Sequence, residues 1–175
     1  MKFIFKLERK SFRRFNWKYW RLYTIEKNKQ LSTIVNLEQA YYRANISIKS
    51  KTISALEITE TLKTQPTKSY EKGTPISSRN PLSKIREESV WILDSKVLEE
   101  KDLNIHIEQL ICFVEERIGE FNKLKNTCNI EIFCGFFSDG KNGEVSLSPS
   151  LIKRLTIIPI DLVINLYLLN SNDKD

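Results

Sequence analysis

Apolar residues recur with helical spacing most clearly between Leu103 and Lys125, where Ile107, Leu110, Ile111, Val114, Ile118, Phe121 and Leu124 stand three and four positions apart. That spacing gathers them on one side of a helix and puts Glu108, Glu115, Glu116, Arg117 and Glu120 on the other. Asp102 or Asn104 is placed to cap its start, and Gly119 on the polar side loosens or splits it, at about 1 kcal/mol relative to Ala. So broad a stripe must lie against a second layer, most simply a sheet.

A period of two marks the strands. In residues 39–49, Ala40, Tyr42, Ala44, Ile46 and Ile48 alternate with Tyr41, Arg43, Asn45, Ser47 and Lys49, the pattern of a half-buried strand. Ser54-Ala55-Leu56-Glu57 then forms a capping box, with Ile53 and Ile58 as its hydrophobic staple. The helix it opens runs to about Lys63, and Pro66 stops it. Residues 65–89 read as loop around Gly73, Pro75 and Pro81, with a short strand near Tyr70 or Ile76. Ser89–Lys96 is a firmer strand, with Val90 and Ile92 opposing Trp91 and Leu93. In Cys128–Phe137, Cys128, Ile130, Ile132, Cys134 and Phe136 share one face, Phe133 and Phe137 the other. Two glycines in 138–144 predict a hairpin into Val145 and Leu147. Ser148-Pro149 then caps a helix with Leu151, Ile152 and Leu155 inward, and Ile160–Leu169 closes the chain as a strand.

The order of elements predicts a single α+β domain over 39–170, akin to ferredoxin-like sandwiches, with a frayed tail at 171–175. A length of 175 residues and 41% hydrophobic content suit one domain with a real core plus an extension. Charge changes this picture. Residues 1–30 hold ten Lys and Arg against two Glu, a net +8, whereas the remainder holds eighteen against twenty. The basic character therefore belongs to residues 1–38, not to the domain. There Phe3, Phe5, Phe12, Phe15, Trp17, Tyr19, Trp20 and Tyr23 are interleaved with Lys10, Arg13, Arg14, Lys18 and Arg21. Four readings stay open: an element packed on the domain, a nucleic-acid binder using phosphate contacts and stacking, a contact with an anionic membrane surface, or a disordered segment. The polyanion-binding candidates are Lys10, Arg13, Arg14, Trp17, Lys18, Trp20 and Arg21.

Candidate chemistry is sparse. Cys112, Cys128 and Cys134 form no CxxC pair, and one His, His106, leaves no Cys/His zinc set, so no metal or cofactor is expected. His106 lies beside the helical stripe and is expected at the surface or near the cap. Glu99/Glu100 and Glu115/Glu116 read as solvated faces, and Lys72-Gly73 as a turn needing a positive φ rather than a phosphate loop. No catalytic residue is expected. The start MKFIFKLERK lacks a signal-peptide core, and Leu155–Leu169 is broken by Pro159, Asp161 and Asn165, so a cytoplasmic protein is expected. If Ile130 and Ile132 face the helices, Phe133 and Phe137 face away, joined by Trp91 and Tyr167. Such a surface is a partner site, or is covered by the N-terminal aromatics or the 65–89 loop.

The segments QPTKSYEKG, SVWILDSK, IHIEQL, FFSDGKNGEVSLSPSLIKRL and IDLVINLYLL, in that order, resemble the bacterial family of domain of unknown function 4279 over about 40–170. The matching pieces are Pro66-Thr67 with Lys72-Gly73, Trp91, the amphipathic helix, Leu147-Ser148-Pro149 and the Tyr167 strand; Val163 and Asn165 stand where more acidic residues are expected. The resemblance implies a small bacterial α+β domain with an antiparallel sheet and helices packed on it, and no established activity. Its members look like companion proteins of bacterial conflict systems, which points to a non-enzymatic protein-binding role of the immunity or antitoxin kind. The competing class is a nucleic-acid or anionic membrane-surface binder acting through residues 1–30.

Overall fold

The computed structural model describes residues 3–7, 40–77, 79–80, 82–138 and 144–168, with the backbone alone at Phe3–Leu7, Ala40 and Leu168. The polyanion-binding candidates and the tail expected to fray lie outside the described residues.

Strand β1 is Phe3–Leu7 and strand β2 is Ala40–Ser50. Helix α1, Ala55–Leu62, starts as its capping box predicts: the Ser54 hydroxyl accepts from Glu57 N–H, and the Glu57 carboxylate accepts from Ser54 N–H at 2.8 Å. The hydrogen bond from Ser54 also holds the Glu57 carboxyl below its usual range. A second acceptor comes from far along the chain. The Glu71 carboxylate takes the N–H groups of Ala55 and Leu56 at 3.1 and 3.3 Å, and the Ser89 hydroxyl at 2.9 Å. Carboxylate at a helix N-terminus is favoured by the dipole as well as by the free donors. At the other end Lys63 turns the chain in the left-handed conformation (φ 50°), before Pro66.

Strand β3 is Lys68–Tyr70 and β4 is Ser89–Asp94. The expected long helix is two helices, α2 at Leu103–Glu115 and α3 at Ile118–Leu124. Asp102 caps α2 by accepting from Asn104 N–H at 2.8 Å. The Asn104 amide instead ties the helix to the later chain, donating to Ser146 O and accepting from Ser148 N–H. The break falls at Arg117, whose backbone leaves the helical region (φ −128°, ψ 29°) just before Gly119. It rotates Ile118 off the stripe, 37% exposed, while Phe121 and Leu124 stay buried.

Strand β5 is Asn129–Ser138, helix α4 is Pro149–Leu155 and strand β6 is Asp161–Leu168. Ser148 caps α4 with Pro149 in its first turn; Leu151 and Leu155 are buried, but Ile152 faces outward. Among the described residues Glu144–Ser148 form no strand, so the expected hairpin strand at Val145 and Leu147 is replaced by a lead-in to α4.

The six strands lie in the order β1-β6-β5-β2-β4-β3. Within it, β5-β2-β4-β3 are paired antiparallel, with α1 between β2 and β3 and α2–α3 between β4 and β5. That is the split βαβ arrangement of ferredoxin-like folds. The whole sheet is mixed rather than purely antiparallel. After β5 the chain returns through α4, so β6 runs parallel to β5, and β1 adds parallel to β6. A crossover helix brings the next strand back in the same direction, which a two-residue turn cannot do. Phe3–Leu7 is thus an edge strand of the sheet rather than part of an appended segment.

Register separates the faces. Ile46 pairs with Ile132 and Leu93, Ile48 with Ile130 and Trp91, and Ile132 and Cys134 with Leu162 and Ile164. These share one core with residues of α1, α2, α3 and α4, so the helices cover this face.

Candidate binding face

The opposite face is built from the other parity of the same strands. At one end Tyr41 of β2 pairs with Phe137 of β5, and Phe137 with Tyr167 of β6, so three aromatics fall in one row. Their rings are stacked: centroids lie 4.6 Å apart for Tyr41–Phe137 and 4.7 Å for Phe137–Tyr167, at interplanar angles of 4° and 11°. All three are half-buried. The next row is Arg43, Gly135 and Asn165. Gly135 is the notch that lets the ladder lie down, because a Cβ there would meet Phe137 at 2.8 Å and Tyr167 at 3.6 Å. The Arg43 guanidinium stands 5.5 Å from the Phe137 centroid and 5.6 Å from that of Tyr41. It is held by a two-pronged bond to Glu99 at 2.8 and 3.2 Å.

Asn165, buried on this face, donates to the Tyr167 hydroxyl at 3.2 Å, and its carbonyl oxygen has no partner among the described residues. An acceptor left so costs about 1–3 kcal/mol. Phe133, half-buried, occupies the following row with Asn45 and Val163. The far end is polar, where Lys49 and Glu131 form an ion pair.

Of the four expected partner-binding residues, the face therefore carries Phe133, Phe137 and Tyr167. Trp91 is not among them. It is fully buried on the helix side, opposite Ile48, and its indole N–H donates to the Thr59 hydroxyl at 3.2 Å. Tyr41, Arg43 and Gly135 were not singled out by the sequence pattern. Their outward parity was readable, but which strands lie side by side was not. The signal available was a glycine between two outward phenylalanines of one strand, a mark of close approach.

The remaining candidates are structural. His106 is buried rather than at the surface, because residues 95–101 fold over it. Its Nε2 lies 3.1 Å from Leu98 O, an acceptor, so Nε2 carries the proton; Nδ1 lies 2.7 Å from the Ser95 hydroxyl and accepts from it. Burial holds the imidazole pKa below its ordinary value, against the opposing pull of the Leu98 and Lys101 carbonyls and the charges of Glu99 and Asp102. The unfolded chain therefore binds this proton more readily. His106 contributes full stability above about pH 6.5 and loses it as pH falls below that value, at no more than about 1.4 kcal/mol per pH unit. Urea unfolding at pH 7.5 and 5.5 should show a loss on acidification that is smaller in His106→Gln.

Glu115 bonds Arg154 at 2.7 and 2.9 Å, and Arg154 also reaches Glu108 and the Cys112 sulfur, both at 3.2 Å. The guanidinium holds the Glu115 carboxyl below its usual range. Glu116 pairs with Arg117. Burial pushes the Cys134 thiol far up, which makes it inert. Gly73 supplies the positive φ expected of its turn, at 82°, and the Lys72 ammonium donates to Lys51 O. Among the described residues no group of three His, Cys, Asp or Glu is placed to hold a metal ion. No helix among them is long and apolar enough to cross a membrane. An open depression of about 280 Å³ lies where the end of α1 meets the α2–α3 break, lined by Lys63, Glu116, Arg117 and Glu120 among others.

Fold and face together define a ferredoxin-like α+β sandwich, widened by two parallel strands, with an aromatic ladder on the side opposite the described helices. The chain belongs to the family described as domain of unknown function (DUF4279), whose model matches residues 39–169, about three quarters of its length. No curated protein and no solved structure matches it.

Proposed function

We propose that the protein acts by binding and not by catalysis, as an immunity or antitoxin-like partner of another bacterial protein, in the cytoplasm. The observation that carries this reading is the Tyr41–Phe137–Tyr167 ladder with Arg43 beside it. Tyr and Arg are the residue types that concentrate binding energy at protein interfaces, and stacked rings lose little freedom when a partner closes on them. Glu99 fixes the guanidinium in place before binding, so little ordering cost remains. The burial of the only histidine, away from this face, supports a reading that does not call on it.

The test is coexpression with the product of an adjacent gene. The protein is expected to form a complex with it and relieve its toxicity. Tyr41→Ala and Tyr167→Ala are each expected to weaken that complex by roughly tenfold or more, measured at a temperature where circular dichroism shows both variants fully folded. Undiminished affinity in both variants, or no complex with any neighbouring product, would sink the reading. A competing reading rests on the net +8 of residues 1–30. Salt-sensitive binding of RNA or DNA, lost when Arg13, Arg14 and Lys18 are replaced by Ala, would place the function there instead.

A further inference from the structure

Between β3 and β4 the chain leaves the domain as a short ribbon. Gly73 N–H donates to Arg86 O, Arg86 N–H to Thr74 O, and Ile76 N–H to Lys84 O, each at 2.9 Å, with Pro75 bridged to Ile85. The Arg86 guanidinium lies 4.0 Å from the Tyr70 centroid and donates to Ile76 O, which pins the ribbon to the sheet. Every described residue from Gly73 to Leu82 is exposed. Yet the ribbon carries large apolar side chains: Leu82 is 92% exposed, Ile85 62% and Ile76 55%. Single exposed apolar residues are ordinary, but three within ten positions on one projection are not.

Two further properties narrow what this arm meets. Its charge has one sign: Arg79, Lys84 and Arg86 lie in a stretch, 73–86, with no Asp or Glu, and carboxylates resume only at Glu87 and Glu88 at its base. Several described donors of its tip are paired within the tip. Ser77 N–H donates to the Ser83 hydroxyl at 2.8 Å, Leu82 N–H to the Asn80 side-chain oxygen at 3.0 Å, and Ser83 N–H to Asn80 O at 2.9 Å. Each of these bonds lowers the cost of taking that N–H out of water. Ile76 and Ile85 come from the two sides of the ribbon, which suits a fluid apolar phase that wets both sides.

We propose that this ribbon is a membrane-surface anchor: Leu82, Ile76 and Ile85 enter the headgroup–acyl boundary of an anionic lipid surface, and Arg79 and Lys84 engage its phosphates. The anchor is separate from the aromatic face and does not depend on the role proposed for it.

Flotation of the full chain with vesicles tests it, comparing pure phosphatidylcholine with the same lipid containing one-third phosphatidylglycerol. The protein is expected to float with the anionic vesicles and far less with the neutral ones. Leu82→Ser with Ile85→Ser removes only exposed side chains and is expected to cut the affinity by about tenfold or more. Arg79→Gln with Lys84→Gln is expected to cut it roughly thirtyfold, at about fivefold per basic residue. If both variants float like the wild type, the basic segment before residue 30 carries the binding and the anchor is wrong. Failure of the wild type to float at low salt overturns it equally, and leaves the arm to a protein partner.

Discussion

Replacing Ile111 with Asp is expected to leave the protein unfolded at 25 °C. Ile111 is fully buried in α2, within the one cluster that joins the helices to the sheet. The substitution removes a packed aliphatic side chain, worth about 2–5 kcal/mol, and puts an unpaired carboxylate in its place at a further cost of several kcal/mol. Together these are comparable to the roughly 5–15 kcal/mol that holds a domain folded. Val114→Asp should behave alike. Ile118→Asp is the informative control, since the same sequence stripe contains it but the break at Arg117 turns it outward. It should cost no more than about 1 kcal/mol. Circular dichroism melts of the three variants settle the matter; a native melt for Ile111→Asp would mean that α2 does not bury this face.

Trp91→Ala is expected to destabilise the protein by about 3–5 kcal/mol, as large-to-small changes of buried aromatics do. The indole fills the space beneath α1 opposite Ile48, and its N–H is satisfied by Thr59. Thr59→Val, which keeps the shape but removes the acceptor, should cost about 1–3 kcal/mol by itself. Denaturant titration separates the two effects. Were Trp91 part of an exposed binding face, neither change would move the midpoint appreciably.

That contrast shows what the chain's pattern reveals and where it stops. The capping box at Ser54–Glu57 and the start of α4 at Ser148-Pro149 were legible because their chemistry lies within a few residues. The parity of β2, β5 and β6 was legible for the same reason. In β4, however, both parities are apolar, so alternation could not say which side faces inward; pairing of Trp91 with Ile48, 43 positions earlier, decides it. His106 sits beside the helical stripe, and only the fold of 95–101 over α2 takes it out of water. The parallel placement of β6 was foreshadowed by a helix between two strands, a signal overshadowed by the glycines of 138–144. Of the ladder, the alternation places Phe137 and Tyr167 outward, while Tyr41 and Arg43 join them only through strand order. Glu71, which caps α1 from sixteen residues beyond Ala55, left no local trace at all.

The pairing of β1 with β6 has a consequence for the order of events during synthesis. Phe3 lies opposite Leu162, so β1 gains its neighbour among the described strands only when β6 exists, 159 residues later. At about 5–20 residues per second a ribosome takes roughly 8–30 s to cover that distance. Throughout that interval β2–β5 and their helices can already assemble, whereas β1 waits for β6. The seam that closes last is therefore the parallel edge of the sheet.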